Sequence, residues 1–72
     1  MNDKLLIYVR NDAQRNQLQK KFPDVKADFI NMEGAEKGVV DDLLPMVCLT
    51  KDGKERCETG EDYIDIFSKE LE

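Results

Sequence analysis

Two cysteines, Cys48 and Cys57, are the residues of this 72-residue chain whose chemistry could operate as a unit. They lie on either side of Asp52-Gly53, a dipeptide that supplies the positive φ angles of a two-residue hairpin loop. With that loop, Cys48 and Cys57 face each other at a non-hydrogen-bonded position, where the Cα atoms of paired residues lie about 4.5 Å apart. This separation is at the short edge of disulfide geometry, so we expect a bridge there to be strained and easily reduced.

The pairing of the cysteines depends on the length of the loop. A three-residue loop that ends in a left-handed glycine would pair Cys48 with Arg56 and separate the thiols. Cys48 also lies between Val47 and Leu49, which is typical of a small buried hydrophobic residue, and Cys57 is then incidental to an edge strand. Free thiols, the default in a reducing compartment, and a redox-labile pair both stay open. Two thiolates are too few ligands for a closed zinc site, so metal binding would require an oligomer and no metal is expected.

Composition argues against several classes of function. Histidine is absent, which removes the usual general base and the usual nitrogen ligand of zinc. With 11 basic and 16 acidic residues the formal net charge is −5, a field that repels phosphate, so neither nucleic acid nor membrane is an expected partner. No run approaches the roughly 20 apolar residues that span a bilayer, and no signal peptide is evident, so we expect an intracellular, cytoplasmic protein. The 40% of hydrophobic residues suffices for one core, which predicts one domain over residues 1–72.

The first half of the chain reads as strand, helix and strand. The apolar run over residues 5–9 is typical of a strand covered on both faces. Asn11 or Asp12 can cap a helix that runs to Phe22, where the following proline ends it. Apolar and polar residues then alternate over residues 25–30, which predicts a second strand parallel to the first.

The second half reads as a short helix, a proline, the cysteine hairpin and a final helix. Residues 33–44 carry an apolar set that predicts the short helix, although each of their two glycines costs about 1 kcal/mol against alanine. Pro45 ends that helix. Thr59 followed three positions later by Asp62 matches a capping pattern and predicts that the final helix begins there. The predicted packing stripe of this helix consists of Gly60, Ile64, Phe67 and Leu71.

The order strand, helix, strand, short helix, proline, hairpin and helix resembles the glutaredoxin and thioredoxin-like fold over essentially the whole chain. The resemblance implies an α/β fold of the type βαβ-α-ββα, with a four-stranded mixed sheet and helices packed on it. It also implies that the peptide bond before Pro45 is cis and that this proline faces the region of the active site.

The head of the first helix departs from the catalytic members of that family. Members that exchange thiols and disulfides place Cys-x-x-Cys or Cys-x-x-Ser there, where the helix dipole stabilises the attacking thiolate. The corresponding residues here are Ala13 and Asn16, and neither side chain can be a sulfur nucleophile. The resemblance therefore does not extend to glutaredoxin-type catalysis or iron–sulfur ligation. A glutathione site is disfavoured by the acidic residues among positions 58–62, and no cofactor is expected.

Two functions follow from these features. The first is a non-catalytic thioredoxin-like domain that binds another protein, as an adaptor or as a small subunit of a larger assembly. Because the family docks extended peptides there, the binding surface is expected at Arg10, Ala13, Pro45 and Met46. Arg10 also resembles a cationic residue that glutaredoxins carry after the first strand.

The second function is a small thiol oxidoreductase or redox sensor that uses Cys48 and Cys57. It requires an accessible thiol that ionises readily. The bases Lys54 and Arg56 favour such a thiol weakly, whereas the acids Glu55 and Glu58 disfavour it. Since the family's nucleophile is replaced, the non-catalytic function is favoured, and enzymatic activity through Cys48 and Cys57 stays open as the alternative.

Overall fold

The computed structural model describes residues 3–34 and 44–71. In chain order the elements are β1 (Lys4–Val9), α1 (Asp12–Lys21), β2 (Asp28–Asn31), β3 (Met46–Lys51), β4 (Lys54–Thr59) and α2 (Asp62–Glu70). The expected α/β class and the order strand, helix, strand, hairpin, helix are confirmed. The short helix predicted within residues 33–44 falls largely on residues 35–43, which lie outside the described part of the chain.

The four strands form one mixed sheet in the order β2-β1-β3-β4. β1 and β2 pair in parallel, because α1 carries the chain back to the starting end of the sheet. β3 pairs antiparallel with β1, and β4 pairs antiparallel with β3. β1 therefore lies inside the sheet with a neighbour on each side, which suits its continuous apolar sequence.

The second strand begins later than the alternating pattern predicts. Pairing with β1 starts at Asp28, whereas the pattern begins at Val25. The N–H of Val25 donates to the carbonyl oxygen of Phe22 at 3.3 Å, so this residue belongs to the turn that follows α1. Val25, Ala27 and Phe29 nevertheless all pack against the core, so the alternation identifies the inward face correctly although the strand is shorter.

The core lies between one face of the sheet and the two described helices. Leu18 of α1 meets Ile64 and Phe67 of α2 in the same buried cluster. The sheet contributes alternate residues of its two central strands, namely Leu5, Ile7, Val9, Val47 and Leu49. Because side chains alternate along a strand, these residues all belong to one face.

The other face of β1 is covered less completely. Its residues Leu6 and Tyr8 are half-buried, whereas the alternating residues on the core face are fully buried. The prediction that both faces are covered therefore holds completely for one face and partly for the other.

The two described helices differ in how they pack. α1 has one fully buried residue, Leu18, whereas α2 buries Ile64 and Phe67. Tyr63 and Leu71 pack around them, so the predicted stripe of α2 is confirmed apart from its first member, Gly60, which precedes the helix. Neither described helix combines the length and the apolar character that crossing a membrane requires.

α1 begins where its sequence predicts. The side-chain oxygen Oδ1 of Asn11 accepts from the backbone N–H of Gln14 at 3.0 Å, which is the bond of a helix N-cap. The side chain of Gln14 in turn accepts from the backbone N–H of Arg10 at 2.6 Å. Two backbone donors at the head of α1 are thereby satisfied by local side chains.

The beginning of α2 differs from the predicted capping pattern. Thr59 is the last residue of β4, paired with Met46, because the hairpin register extends that far. Gly60 then turns the chain with a φ of 116°, a conformation that residues with a Cβ atom rarely adopt. The N-cap is Glu61, which makes no capping hydrogen bond and instead accepts from Nζ of Lys21 at 2.6 Å. The predicted cap at Thr59 is therefore wrong. The N-cap residue of α2, Glu61, contacts Lys21 of α1 instead of capping its own helix.

The packing of α2 can be tested with a matched pair of substitutions. Ile64 is fully buried and Ile66 of the same helix is 49% exposed. Ile64→Val should lower the free energy of unfolding by about 0.5–1.5 kcal/mol, because it removes a buried methylene. Ile66→Val should change it by less than about 0.5 kcal/mol. Urea unfolding followed by circular dichroism measures both, and equal losses would contradict the orientation of α2.

Candidate functional site

The hairpin between β3 and β4 has the two-residue loop. Asp52 and Gly53 form the loop with φ angles of 53° and 77°, which the sequence Asp-Gly tolerates well. The resulting register places Cys48 directly opposite Cys57. The two-residue alternative is confirmed, and the three-residue loop that would pair Cys48 with Arg56 is excluded.

Cys48 and Cys57 are bonded to each other in this structure. The sulfur atoms are 2.12 Å apart and the Cα atoms 4.0 Å apart. Counting from the loop, the pair is a non-hydrogen-bonded one, the position at which facing strands come closest. The alternative of two free thiols therefore does not describe this state of the protein.

The bridge joins an interior residue to the outer strand of the sheet. Cys48 is buried, with 2% of its surface exposed, whereas all six residues of β4, including Cys57, are exposed. Cys48 pairs with Leu6 of β1 and alternates with the core residues Val47 and Leu49. The bridge thus lies on the face of the sheet that is opposite α1 and α2.

Of the two acids that the sequence sets close to Cys57, Glu55 lies beside the bridge and Glu58 lies on the other face of β4. Its oxygen Oε1 lies 3.5 Å from Sγ of Cys57. A disulfide sulfur carries no hydrogen, so this contact is not a hydrogen bond. The donor atoms of Cys48, Glu55 and Cys57 all lie within 4.8 Å of one another. The signal that could have found Glu55 is its spacing, since residues two apart on a strand share a face.

Both cations that were expected to favour a reactive thiol, Lys54 and Arg56, lie on the face of β4 opposite Cys57. Arg56 lies over the ring of Phe67, with 4.6 Å from its Cζ atom to the ring centroid, and pairs with Glu70. The hydrogen bond from Arg56 lowers the pKa of Glu70. Arg56 is therefore committed to α2, while Glu55 next to Cys57 disfavours a thiolate by like-charge repulsion. The electrostatics oppose rapid thiol chemistry.

The four residues of the predicted binding surface are brought to one end of the sheet. Arg10 follows β1 directly, and Ala13 lies in the first turn of α1. Met46 opens β3 opposite Tyr8 near the end of β1. Because β1 and β3 are antiparallel, the end of β1 and the beginning of β3 lie at the same end of the sheet. We call the four residues at this end, Arg10, Ala13, Pro45 and Met46, the α1-head surface.

The members of the α1-head surface differ in exposure. Arg10 and Ala13 are exposed, Met46 is half-buried and Pro45 is buried. The Leu44–Pro45 peptide bond is cis, as the resemblance implies. The carbonyl oxygen of Pro45 accepts from the N–H of Gly60 at 2.8 Å. Pro45 therefore joins β3 to the turn before α2, and the other three residues of the α1-head surface are the ones that solvent reaches.

The bridge should contribute measurably to stability. It closes a loop with a sequence separation of 9 residues. Loss of such a cross-link is expected to lower the free energy of unfolding by roughly 2–3 kcal/mol, because the unfolded chain regains entropy. Urea unfolding with and without a phosphine reductant measures the change. The double variant Cys48→Ala/Cys57→Ala should not respond to the reductant, and a fully reduced wild type that is equally stable would contradict the expectation.

In comparisons with known proteins, no family model, no curated protein and no solved structure matches the chain. The site is therefore interpreted from its own residues, which are the bridge with Glu55 beside it and the α1-head surface at the end of the sheet.

Proposed function

We propose that this chain is a non-catalytic domain of thioredoxin-like architecture that binds another protein, as an adaptor or as a small subunit of a larger assembly. One observation carries the proposal. The parallel pair β1–β2 is joined through α1 and followed by an antiparallel hairpin, while the head of α1 presents Ala13 and Asn16 where catalytic members of that family carry sulfur. The arrangement of the described strands and helices is compatible with a thioredoxin-like architecture. The side chains of Ala13 and Asn16 cannot act as the sulfur nucleophile of that family.

The composition of the α1-head surface supports binding more than chemistry. Ala13 offers a small exposed apolar surface, and Met46 adds a half-buried side chain whose flexibility suits contact with varied partners. Arg10 supplies a positive charge at the rim. The side chains of Asn11 and Gln14 already accept from two backbone N–H groups at the head of α1, those of Gln14 and Arg10, which are then not available to an anionic substrate.

The small size of the chain gives a partner a further role. A chain of 72 residues buries only about 60–65% of the surface that its unfolded form exposes. A protein that binds only the folded state adds stability by mass action. Binding and folding are therefore coupled in the proposed function.

The binding surface can be tested by reversing its character at one residue. Met46→Glu places a charge in the apolar part of the α1-head surface and should abolish capture of partner proteins by the immobilised chain. Gln19→Glu, which makes the same change of charge on the exposed side of α1, should leave capture unchanged. Mass spectrometry of the captured proteins provides the measurement, and circular dichroism verifies that both variants fold. Equal capture by both would place the interface elsewhere.

A redox sensor based on Cys48 and Cys57 is the second candidate, and the bridge itself favours it. An external thiolate attacks the exposed Cys57 sulfur, the S–S bond breaks, and Cys48 leaves as a thiolate that takes up a proton. A second external thiol then resolves the mixed disulfide, so two electrons enter the protein and an external disulfide is released. Because Glu55 repels an anionic attacker, the exchange is expected to be slow, which suits a sensor more than a catalyst.

The sensor can be tested by the order in which the cysteines become accessible. After reduction without denaturant, Cys57 should be alkylated faster than Cys48, because Cys48 is 2% exposed and Cys57 lies on the exposed outer strand. Peptide mass spectrometry after timed alkylation measures both rates. Glu55→Gln should speed the initial reduction, whereas Glu58→Gln on the other face of β4 serves as its control. A bridge that reduces only after unfolding would eliminate this candidate.

A further inference from the structure

We propose that the reduced protein binds one Zn²⁺ ion per chain through Cys48, Cys57 and Glu55, in an open site whose fourth position is taken by water. The inference rests on the second candidate function, since the sulfur atoms become ligands only after the bridge is reduced. Oxidation of the two cysteines would expel the metal, so the hairpin would be a redox-controlled zinc site.

The distance between Glu55 and Cys57 matches a pair of ligands of tetrahedral zinc. Zn–S bonds of about 2.3 Å and Zn–O bonds of about 2.1 Å at a tetrahedral angle place a sulfur and an oxygen ligand about 3.6 Å apart. The separation between Oε1 of Glu55 and Sγ of Cys57 is 3.5 Å. The same bond lengths put two sulfur ligands about 3.8 Å apart, which facing cysteines reach by rotation of their side chains once the bond between them is broken. All three donor atoms already lie within 4.8 Å of one another.

The backbone holds the three ligands in place before any metal arrives. Cys48 and Cys57 are paired across β3 and β4, and Glu55 precedes Cys57 by two residues on the same face. The hairpin register fixes the backbone positions of all three ligands, so only side-chain rotations have to be ordered when the metal binds. The sequence-based expectation that a metal would need an oligomer counted only the two thiolates, and Glu55 supplies the third ligand within the chain.

The charge and exposure of Glu55 also suit a cation. Among residues 3–34 and 44–71, the acids that form ion pairs are Glu61, Glu70 and Asp65, and Glu55 forms none. Its carboxylate instead touches a sulfur that has no proton to donate. Glu55 and Cys57 are exposed, so a metal ion can enter from solvent and water can complete its coordination.

The reaction balances with external thiols as the reductant and an external two-electron oxidant for the reverse step. Two external thiols reduce the bridge and leave as a disulfide, which gives two protein thiols. Zn²⁺ then replaces the two thiol protons, which pass to solvent. In the reverse direction a two-electron oxidant such as a low-molecular-weight disulfide or a hydroperoxide accepts the electrons, the S–S bond forms again and Zn²⁺ is released.

The test uses the full chain reduced by a phosphine under anaerobic conditions, with the phosphine removed before metal is added. Titration with Zn²⁺ against a chromophoric chelator should give one ion per chain for the reduced protein and none for the oxidised protein. Glu55→Gln should weaken zinc binding at least about tenfold. Glu58→Gln removes the same charge from the other face of β4 and should change the affinity less than about twofold, because β-strand neighbours point to opposite faces.

Co²⁺ provides a second measurement on the same proteins. The reduced wild type and Glu58→Gln should show thiolate-to-cobalt charge transfer and the visible bands of a tetrahedral ion, and Glu55→Gln should alter the visible bands. An unfolded reduced chain would bind metal through its thiols alone, so both glutamate variants would then behave alike.

Several outcomes would overturn the proposal. These are no zinc binding by the reduced chain, one ion per two chains, or equal affinities of the Glu55→Gln and Glu58→Gln variants. If the bridge reduces in the folded protein and no zinc binds, only the metal site is lost and the redox sensor stands. If the bridge resists reduction until the protein unfolds, both are contradicted.

Discussion

The two-residue loop at Asp52-Gly53 fixes the register of the β3–β4 hairpin, and the pairing of Cys48 with Cys57 depends on that register. Because side chains alternate along a strand, a slip of one residue would exchange the two faces of β4. Cys57 would then point toward α2, and Arg56 would leave the ring of Phe67. A local requirement for positive φ angles therefore decides which atoms can react with one another.

The two faces of the sheet carry different groups. One face buries the apolar residues of β1 and β3 under α1 and α2, and it uses Arg56 to attach the outer strand to α2. The other face carries the bridge and Glu55. Reduction of the bridge would release Cys57 of the exposed outer strand and would also alter Cys48, which is buried.

The α1-head surface and the bridge share β3. Met46 begins this strand at the proposed contact surface, and Cys48 lies two residues further on the same face. The two proposed functions are therefore physically compatible, because a partner that contacts Met46 lies near the element whose state would change. Both also suit a small domain, whose stability is modest enough for a partner or a cross-link to matter.

The sequence by itself determined the order of the described elements and the parallel β1–β2 pair, because these depend on local propensity and on alternation. It narrowed the N-cap of α1 to Asn11 or Asp12 and the cysteine pairing to two loop lengths, and the structure selected Asn11 and the two-residue loop. Tertiary structure decided the features that depend on longer-range contacts. In the observed register of β4, Thr59 pairs with Met46 in the sheet, so Thr59 cannot cap α2. The N-cap of α2 is Glu61, whose carboxylate pairs with Lys21 of α1. The hydrogen bond from the N–H of Val25 to the carbonyl oxygen of Phe22 holds Val25 in the turn after α1, outside β2. Arg56 pairs with Glu70 of α2, and Glu55 lies close to Cys57. Residue spacing along a strand predicts the face on which each side chain lies, but the distances between side chains are set only when the elements pack together.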